Sequence, residues 1–260
     1  MNITLRKNKG CGHMKIMKLI SKKAQNLNGE KIPTIAFLGD SVTQGCFEIY
    51  RKNETEFETF FDKKSAYHSY IAEIFTLLFP NVPINIINAG ISGDTAEGGL
   101  KRLERDVLSH KPDLTVVCYG LNDSMSGMEN IDVYINSLTN IFNRLKSSGS
   151  EVIFMTANMM NTKISCHLTD ELFKEIAEKS MQIQNDGVLR AYFESGKKAA
   201  EKCGIKICDV YSKWEAMAQN GIDTTEMLAN KINHPLRELN WIFAYELVSR
   251  MMSAEQYHDR

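Results

Sequence analysis

Five short apolar runs, each rich in β-branched residues and each ending at small or polar residues, constrain this chain most: TIAFLGDS (34–41), INIINAG (84–90), LTVVCYG (114–120), EVIFMTAN (151–158) and IKICDVY (205–211). Apolar runs of this length without polar alternation fit strands buried on both faces. The segments between them carry the helical apolar period, as in SAYHSYIAEIFTLLF (65–79), TAEGGLKRLERDVLSH (95–110) and VYINSLTNIFNRLKSSG (133–149). The last of these ends on Gly149, a residue suited to a helix C-cap. Strand followed by helix, repeated, predicts an α/β fold whose five-stranded parallel sheet is covered by helices on both faces.

With 260 residues and no internal repeat, low-complexity tract or flexible linker, the chain reads as a single domain over 31–252, with an N-terminal arm (1–30) and a C-terminal tail (253–260). Two segments, 42–64 and 158–186, exceed ordinary connections; insertions after strands of a parallel sheet lie where ligands bind, so substrate choice is expected there. The 31 basic and 32 acidic residues nearly cancel, which argues against nucleic acid as a partner. Six cysteines, at 11, 46, 118, 166, 203 and 208, form no CxxC pair and no zinc-ligand spacing, so they read as reduced thiols, with Cys11 and His13 as bystanders. A lysine-studded start without a long apolar segment reads as cytoplasmic, which makes the sequon at Asn53 accidental. No stretch approaches the roughly 18 apolar residues of a membrane span. Residues 127–138 and the SAEQYHDR tail could take part in assembly, but nothing in their pattern requires it.

Chemistry concentrates in four blocks. Gly39-Asp40-Ser41 follows the first strand, where Gly allows a tight turn and a Ser hydroxyl is presented at the carboxyl edge of the sheet. Such a Ser can be a nucleophile; the same tripeptide can equally be a strand-to-helix turn in which Asp or Ser caps the helix. Asn88-Ala89-Gly90-Ile91-Ser92-Gly93-Asp94-Thr95 leaves the second strand and opens a helix, so its amides can hold a developing oxyanion. A phosphate cradle is the competing reading, but GxGxxG spacing and a Walker lysine are absent. Gly120-Leu121-Asn122-Asp123 ends the third strand, where the Asn122 amide can donate into the same space, or where Asn-Asp serves only as a turn. His234 precedes Pro235, which restricts it to an extended backbone and places it as a general base on a stiff loop; His13, His68, His110, His167 and His258 read as packed or exposed. The first three blocks meet at the carboxyl edge of a right-handed doubly wound sheet. A nucleophile, oxyanion donors and a base are the parts needed for acyl transfer.

The four blocks, in this order, resemble the signature blocks of the SGNH/GDSL hydrolases over residues from about 32 to about 250. The resemblance implies a flavodoxin-like three-layer αβα sandwich. It also implies Ser41 as nucleophile, His234 as base, and an oxyanion hole from Ser41 N–H, Gly93 N–H and the Asn122 side chain, with no cofactor and no metal. One departure concerns the base: the family often carries Asp three residues before the His, and here that position is Lys231. An orienting carboxylate holds the imidazole tautomer and stabilises the imidazolium, so its loss must be met by another group. A backbone carbonyl or the side chain of Asn230 or Asn233 is the favoured substitute, ahead of a carboxylate from Asp209, Asp223 or Glu226.

The expected substrate is a short-chain acyl ester, foremost an acetyl group on a carbohydrate. Segment 42–64 mixes Phe47, Tyr50, Phe57, Phe60 and Phe61 with charges, and these aromatics could stack on a sugar, floor an acyl pocket, or simply pack the insertion onto the core. Lysophospholipid or thioester cleavage is the alternative within hydrolysis. Acyl transfer to a sugar hydroxyl, and a glycan-binding pseudoenzyme marked by Lys231, are the alternatives outside it.

Overall fold

The computed structural model describes residues 14–54 and 56–253. In chain order it comprises α1 (Lys15–Gln25), β1 (Thr34–Gly39), α2 (Ser41–Gln44), β2 (Cys46–Arg51), β3 (Phe57–Phe61), α3 (Tyr67–Leu78), β4 (Asn85–Gly90), α4 (Ala96–Asp106), β5 (Leu114–Cys118) and α5 (Leu121–Ser124). It continues through α6 (Ile131–Ser147), β6 (Glu151–Thr156), α7 (Glu171–Asn185), α8 (Val188–Lys202), β7 (Lys206–Asp209), α9 (Tyr211–Gln219) and α10 (Asn240–Met252).

The five expected strands pair in parallel in the order β4-β1-β5-β6-β7, the flavodoxin-like arrangement. Successive side chains of β1 serve opposite faces. Ile35 and Phe37 join Val116, Ile153 and Met155 under α1, α3 and α10, while Ala36 and Leu38 join Val117, Val152 and Phe154 under α4 and α6. This two-sided burial is why the strands show no polar alternation, and each fully buried Phe or Leu contributes about 1.5–3 kcal/mol through area removed from water. Helix α6 ends as its Gly149 suggests: the glycine has φ +87°, and Ser150 N–H returns to Leu145 O at 3.2 Å, closing the last turn.

Residues 15–25, placed by sequence in the N-terminal arm, form α1. Its Ile16 and Ile20 are buried in the main core, and the Glu151 carboxylate accepts from Lys15 N–H at 2.6 Å and Ile16 N–H at 2.8 Å, satisfying its first amides. Insertion 42–64 is α2 followed by an antiparallel hairpin of β2 and β3. Insertion 158–186 contributes α7 and, through Leu168, Phe173 and Ala177, most of a satellite core that Ile232 of the His234 loop completes and against which Ile49 of the hairpin packs. Cys46, Cys118, Cys166, Cys203 and Cys208 are free, and no helix among the described residues is long and apolar enough to cross a membrane. Cys11, His13, His258 and residues 254–260 lie outside the described residues.

The sheet edge that carries the first three blocks depends on close backbone approach at Gly90. A Cβ there would sit 2.7 Å from the carbonyl carbon of Thr43 and closer still to Gln44 N, with no flexible side chain to yield. Gly90→Ala is expected to destabilise by at least about 1–3 kcal/mol through forced displacement of α2. A urea midpoint unchanged from wild type would show that α2 is not held against β4 in this way.

Candidate active site

At the end of β1, Asp40 and Ser41 realise both readings of their tripeptide. Asp40 caps α2, its carboxylate accepting from Val42 N–H at 3.0 Å, while the Ser41 hydroxyl faces the His234 ring. Ser41 Oγ lies 2.9 Å from His234 Nε2, and His234 Nδ1 lies 2.9 Å from the carbonyl oxygen of Phe47. A carbonyl oxygen only accepts, so Nδ1 carries the proton and the neutral ring offers its Nε2 lone pair to the Ser41 hydroxyl. The group that takes the place of the missing aspartate is therefore the main chain of β2.

The other candidates have different partners. Asn230 Oδ1 accepts from the backbone N–H of Ile232, Asn233 and His234 at 3.0, 2.9 and 3.0 Å, so it shapes the loop rather than touching the ring. The Asn233 side chain accepts from Asn230 Nδ2 at 2.9 Å. Asp209 binds Thr156 and Lys197, Asp223 pairs with Lys163, and Glu226 accepts from Ser165. Lys231, at φ +59°, turns its ammonium to Glu226, 3.0 Å from the carboxylate and 2.9 Å from the main-chain oxygen. The loop is pinned to the segment that follows β6 by Asn161 N–H donating to Ile232 O at 2.8 Å and by Asn158 Nδ2 donating to Asn233 O at 2.8 Å.

The second and third blocks lie side by side. Ile91 N–H donates to Gly39 O at 3.1 Å and Ser92 N–H to Gln44 Oε1 at 2.6 Å, tying the β4–α4 loop to the Ser41 turn. Gly93 has φ +77°; a Cβ there would meet nothing within 4 Å, so the left-handed backbone, not space, is what favours glycine. Thr95 caps α4, and Asp123 reaches across to accept from Ala96 N–H at 2.9 Å. Asn122 Nδ2 donates one proton to Asp94 O at 2.9 Å, which orients the amide and leaves its second N–H free to donate.

Beneath these loops sits a residue that sequence reasoning passed over. Arg102 of α4 donates to Gly39 O at 3.0 Å and Ala89 O at 2.7 Å, contacts Tyr119 Oη at 2.9 Å, and pairs with Asp94 at 2.7 Å and Asp106 at 3.1 Å. One guanidinium thus ties the ends of β1 and β4 to the β4–α4 loop. Its signal was present: Arg102 shares the inward face of α4 with Gly99 and Leu103, where a charge is rarely left unpaired. Of the hairpin aromatics, Phe47 is buried, while Tyr50, Phe57, Phe60 and Phe61 are exposed; Phe57 meets the Phe173 edge with ring centroids 6.0 Å apart.

The electrostatics favour a neutral base. Burial pushes the His234 imidazole down to about 4, against the opposing pull of the Phe47 hydrogen bond and the Glu48 charge. Burial likewise pushes Asp40 up to about 7 and Asp123 up to about 6, each held back by backbone hydrogen bonds. Among the described residues no group of three or more His, Cys, Asp or Glu could hold a metal ion.

A parallel sheet with this order, with the Ser41 hydroxyl set against the His234 ring beyond its carboxyl edge, is the architecture of an α/β hydrolase. More narrowly, the chain matches the family model of the GDSL-like Lipase/Acylhydrolase family over residues 37–239 and belongs to that family. It is similar to an acetylxylan esterase of Geobacillus stearothermophilus, 32% identical over 96 residues, which are 37% of this chain and 41% of that protein. An arylesterase of Vibrio mimicus is 36% identical over 72 residues, 28% of this chain and 36% of the relative. The chain thus aligns with well under half the length of the curated relatives it matches. Among solved structures, Axe2, an acetylxylan esterase from Geobacillus stearothermophilus, shares the fold with a TM-score of 0.61 at 21% identity, covering 84% of this chain and 94% of the other. LAE5, described as an alpha/beta hydrolase from the metagenome of Lake Arreo, does so with a TM-score of 0.62 at 19% identity, covering 84% and 94%.

The His234 ring is expected to stay neutral far below the usual histidine range. An NMR titration of its Cε1–H should give a midpoint near about 4; a midpoint at or above the ordinary ~6.5 would contradict a buried ring whose Nε2 is free to accept.

Proposed function

We propose that this chain is a serine esterase that hydrolyses short-chain acyl esters through a Ser41–His234 acyl-enzyme mechanism. The observation that carries the reading is the continuous line from the Ser41 hydroxyl through the His234 ring to the Phe47 carbonyl, with both hydrogen bonds at 2.9 Å. His234 Nε2 takes the Ser41 proton as Oγ bonds to the ester carbonyl carbon. The resulting oxyanion is met by Ser41 N–H, Gly93 N–H and the second proton of the Asn122 amide. Collapse breaks the bond to the leaving alcohol, which receives the proton from Nε2. Water then attacks the acyl-Ser41 ester, giving its proton to His234, and the acid leaves as Ser41 recovers its hydrogen. The nucleophile, the base and the oxyanion donors in this sequence all belong to the chain itself.

An O-acetyl group on a carbohydrate is the substrate this reading favours. Support comes from the acetylxylan esterase relative and from the exposed aromatics of the β2/β3 hairpin, which follows the nucleophile directly. The arylesterase relative makes aryl acetates a second class to assay. Free thiols at the five described cysteines fit a reducing, cytoplasmic setting.

Wild type is expected to cleave p-nitrophenyl acetate faster than the octanoate, and to release acetate from acetylated xylo-oligosaccharides. Ser41→Ala and His234→Ala should each lose about 10⁴-fold or more in kcat, as removal of a nucleophile or its base does. Asn122→Ala should lose about 10²–10³ while remaining folded, the usual cost of one oxyanion donor. A Ser41→Ala variant with wild-type turnover would end this reading. A near-normal Asn122→Ala would remove Asn122 from the mechanism.

A further inference from the structure

The hydrogen bond that orients His234 crosses between two segments far apart in sequence, the His234 loop and β2, and a second contact bridges the same two segments. Arg237, three residues after His234, reaches Glu48, the residue after Phe47, with its two terminal nitrogens at 2.5 and 2.9 Å. Its Nε contacts Asp62, just beyond β3, at 3.1 Å, and Asp62 N–H donates to Gly45 O at 2.9 Å just ahead of β2. The guanidinium also lies 4.4 Å from the centroid of the Phe47 ring and 5.6 Å from that of Phe60. One side chain thus grips both strands of the hairpin and the very residue whose carbonyl meets the imidazole.

From this juxtaposition we infer that Arg237 is a positioning residue that, through Glu48 and Asp62, holds the Phe47 carbonyl on His234 Nδ1 and so performs at one remove the orienting task of the missing carboxylate. A main-chain oxygen orients a ring only as well as its own segment is held. Here the segment is a two-stranded hairpin outside the main sheet, buried at the Cys46–Phe47 end and exposed along β3, and an isolated hairpin is marginal without such anchoring. The planar fork of arginine suits the task because it fixes a carboxylate at two points, whereas lysine fixes it at one. The hairpin has a second anchor on its far side, where Arg51 pairs with Asp170 at 2.6 Å and Phe57 meets Phe173. The Phe173 side shares the satellite core with Ile232 of the His234 loop, but the Arg51–Asp170 ion pair is made to α7 and not to that loop, so Arg51→Leu separates positioning from simple stability.

The inference rests on the esterase reading above, and the experiment keeps the two apart. Wild type, Arg237→Leu, Arg237→Lys, Glu48→Gln and Arg51→Leu are compared in p-nitrophenyl acetate kinetics, in thermal melting, and by NMR of the His234 Nδ1–H proton. Displacing the carbonyl by about 1 Å should lower kcat on the order of 10²-fold with KM changed by less than about threefold, since geometry and not binding is lost. Arg237→Lys should recover part of kcat, Glu48→Gln should fall in the same direction as Arg237→Leu, and Arg51→Leu should keep wild-type kcat even if its melting temperature drops. The hydrogen-bonded Nδ1–H signal should be present in wild type and Arg51→Leu and be lost or shifted in Arg237→Leu. If Arg237→Leu does not fold, Glu48→Gln, which changes one atom type on an exposed carboxylate, decides alone. Equal kcat in Arg237→Leu (or Glu48→Gln) and Arg51→Leu, with the Nδ1–H signal intact, would overturn the inference while leaving the esterase reading untouched. Inactive wild type, or active Ser41→Ala, would instead defeat the esterase reading on which it rests.

Discussion

The hydrogen bond from His234 Nδ1–H to the Phe47 carbonyl is the contact on which the rest of the site depends. It fixes which ring nitrogen is bare, and therefore whether the Ser41 hydroxyl has an acceptor at all. A carbonyl dipole does this with less charge than a carboxylate, so it orients the ring well and stabilises the imidazolium less. Glu48, next along β2, restores some negative potential near the ring, but it is paired with Arg237 and stands outside the hydrogen-bonded line. The deep burial of His234 pulls the other way and keeps the ring neutral, which suits proton acceptance from Ser41 at neutral pH.

A second constraint lies on the opposite side of the nucleophile. Burying the Arg102 guanidinium costs several kcal/mol in lost hydration, an amount offset only by close, well-aimed partners. Those partners are the ends of β1 and β4, Tyr119, Asp94 and Asp106. Because Asp94 also accepts from Asn122 through its main chain, the loops after β1, β4 and β5 are joined by one polar network. The groups proposed as oxyanion donors are thereby held in place without substrate, the condition under which such donors lower a barrier most. The topological switch point brings these loops together; Arg102 makes their relative placement rigid.

How much of this was legible in the sequence follows from what each feature leaves in side-chain identity. Strands β1, β5 and β6 were readable because burial on both faces leaves continuous apolar runs, the edge strands β4 and β7 because they keep short apolar cores between polar ends, and α6 to its end because Gly149 marks the left-handed residue after it. Ser41, Gly93, Asn122 and His234 stood out as four ordered blocks, and the structure brings Ser41 onto His234 and Asn122 onto the Gly93 loop. The orienting group was beyond sequence reasoning beyond its chemical kind, since every residue has a carbonyl and only the tertiary fold brings that of Phe47 within 2.9 Å of a ring 187 positions away. The hairpin of β2 and β3 was hidden because its exposed aromatics and charges obey neither the strand nor the helix period cleanly. Helix α1 did leave a signal, since Met14, Ile16, Met17, Leu19 and Ile20 fall on the helical apolar period among lysines, and reading the first 30 residues as an arm passed over it. Lys231 was visible as a departure, but that its ammonium turns away to Glu226 required the loop's conformation.

The most direct measurement of the central claim is covalent labelling with a fluorophosphonate, read by peptide mass spectrometry. One modified residue, Ser41, is expected in wild type, with labelling slowed severely in His234→Ala, because attack on phosphorus needs the same proton acceptor. Labelling absent in a folded wild type, or found on a residue other than Ser41, would contradict it.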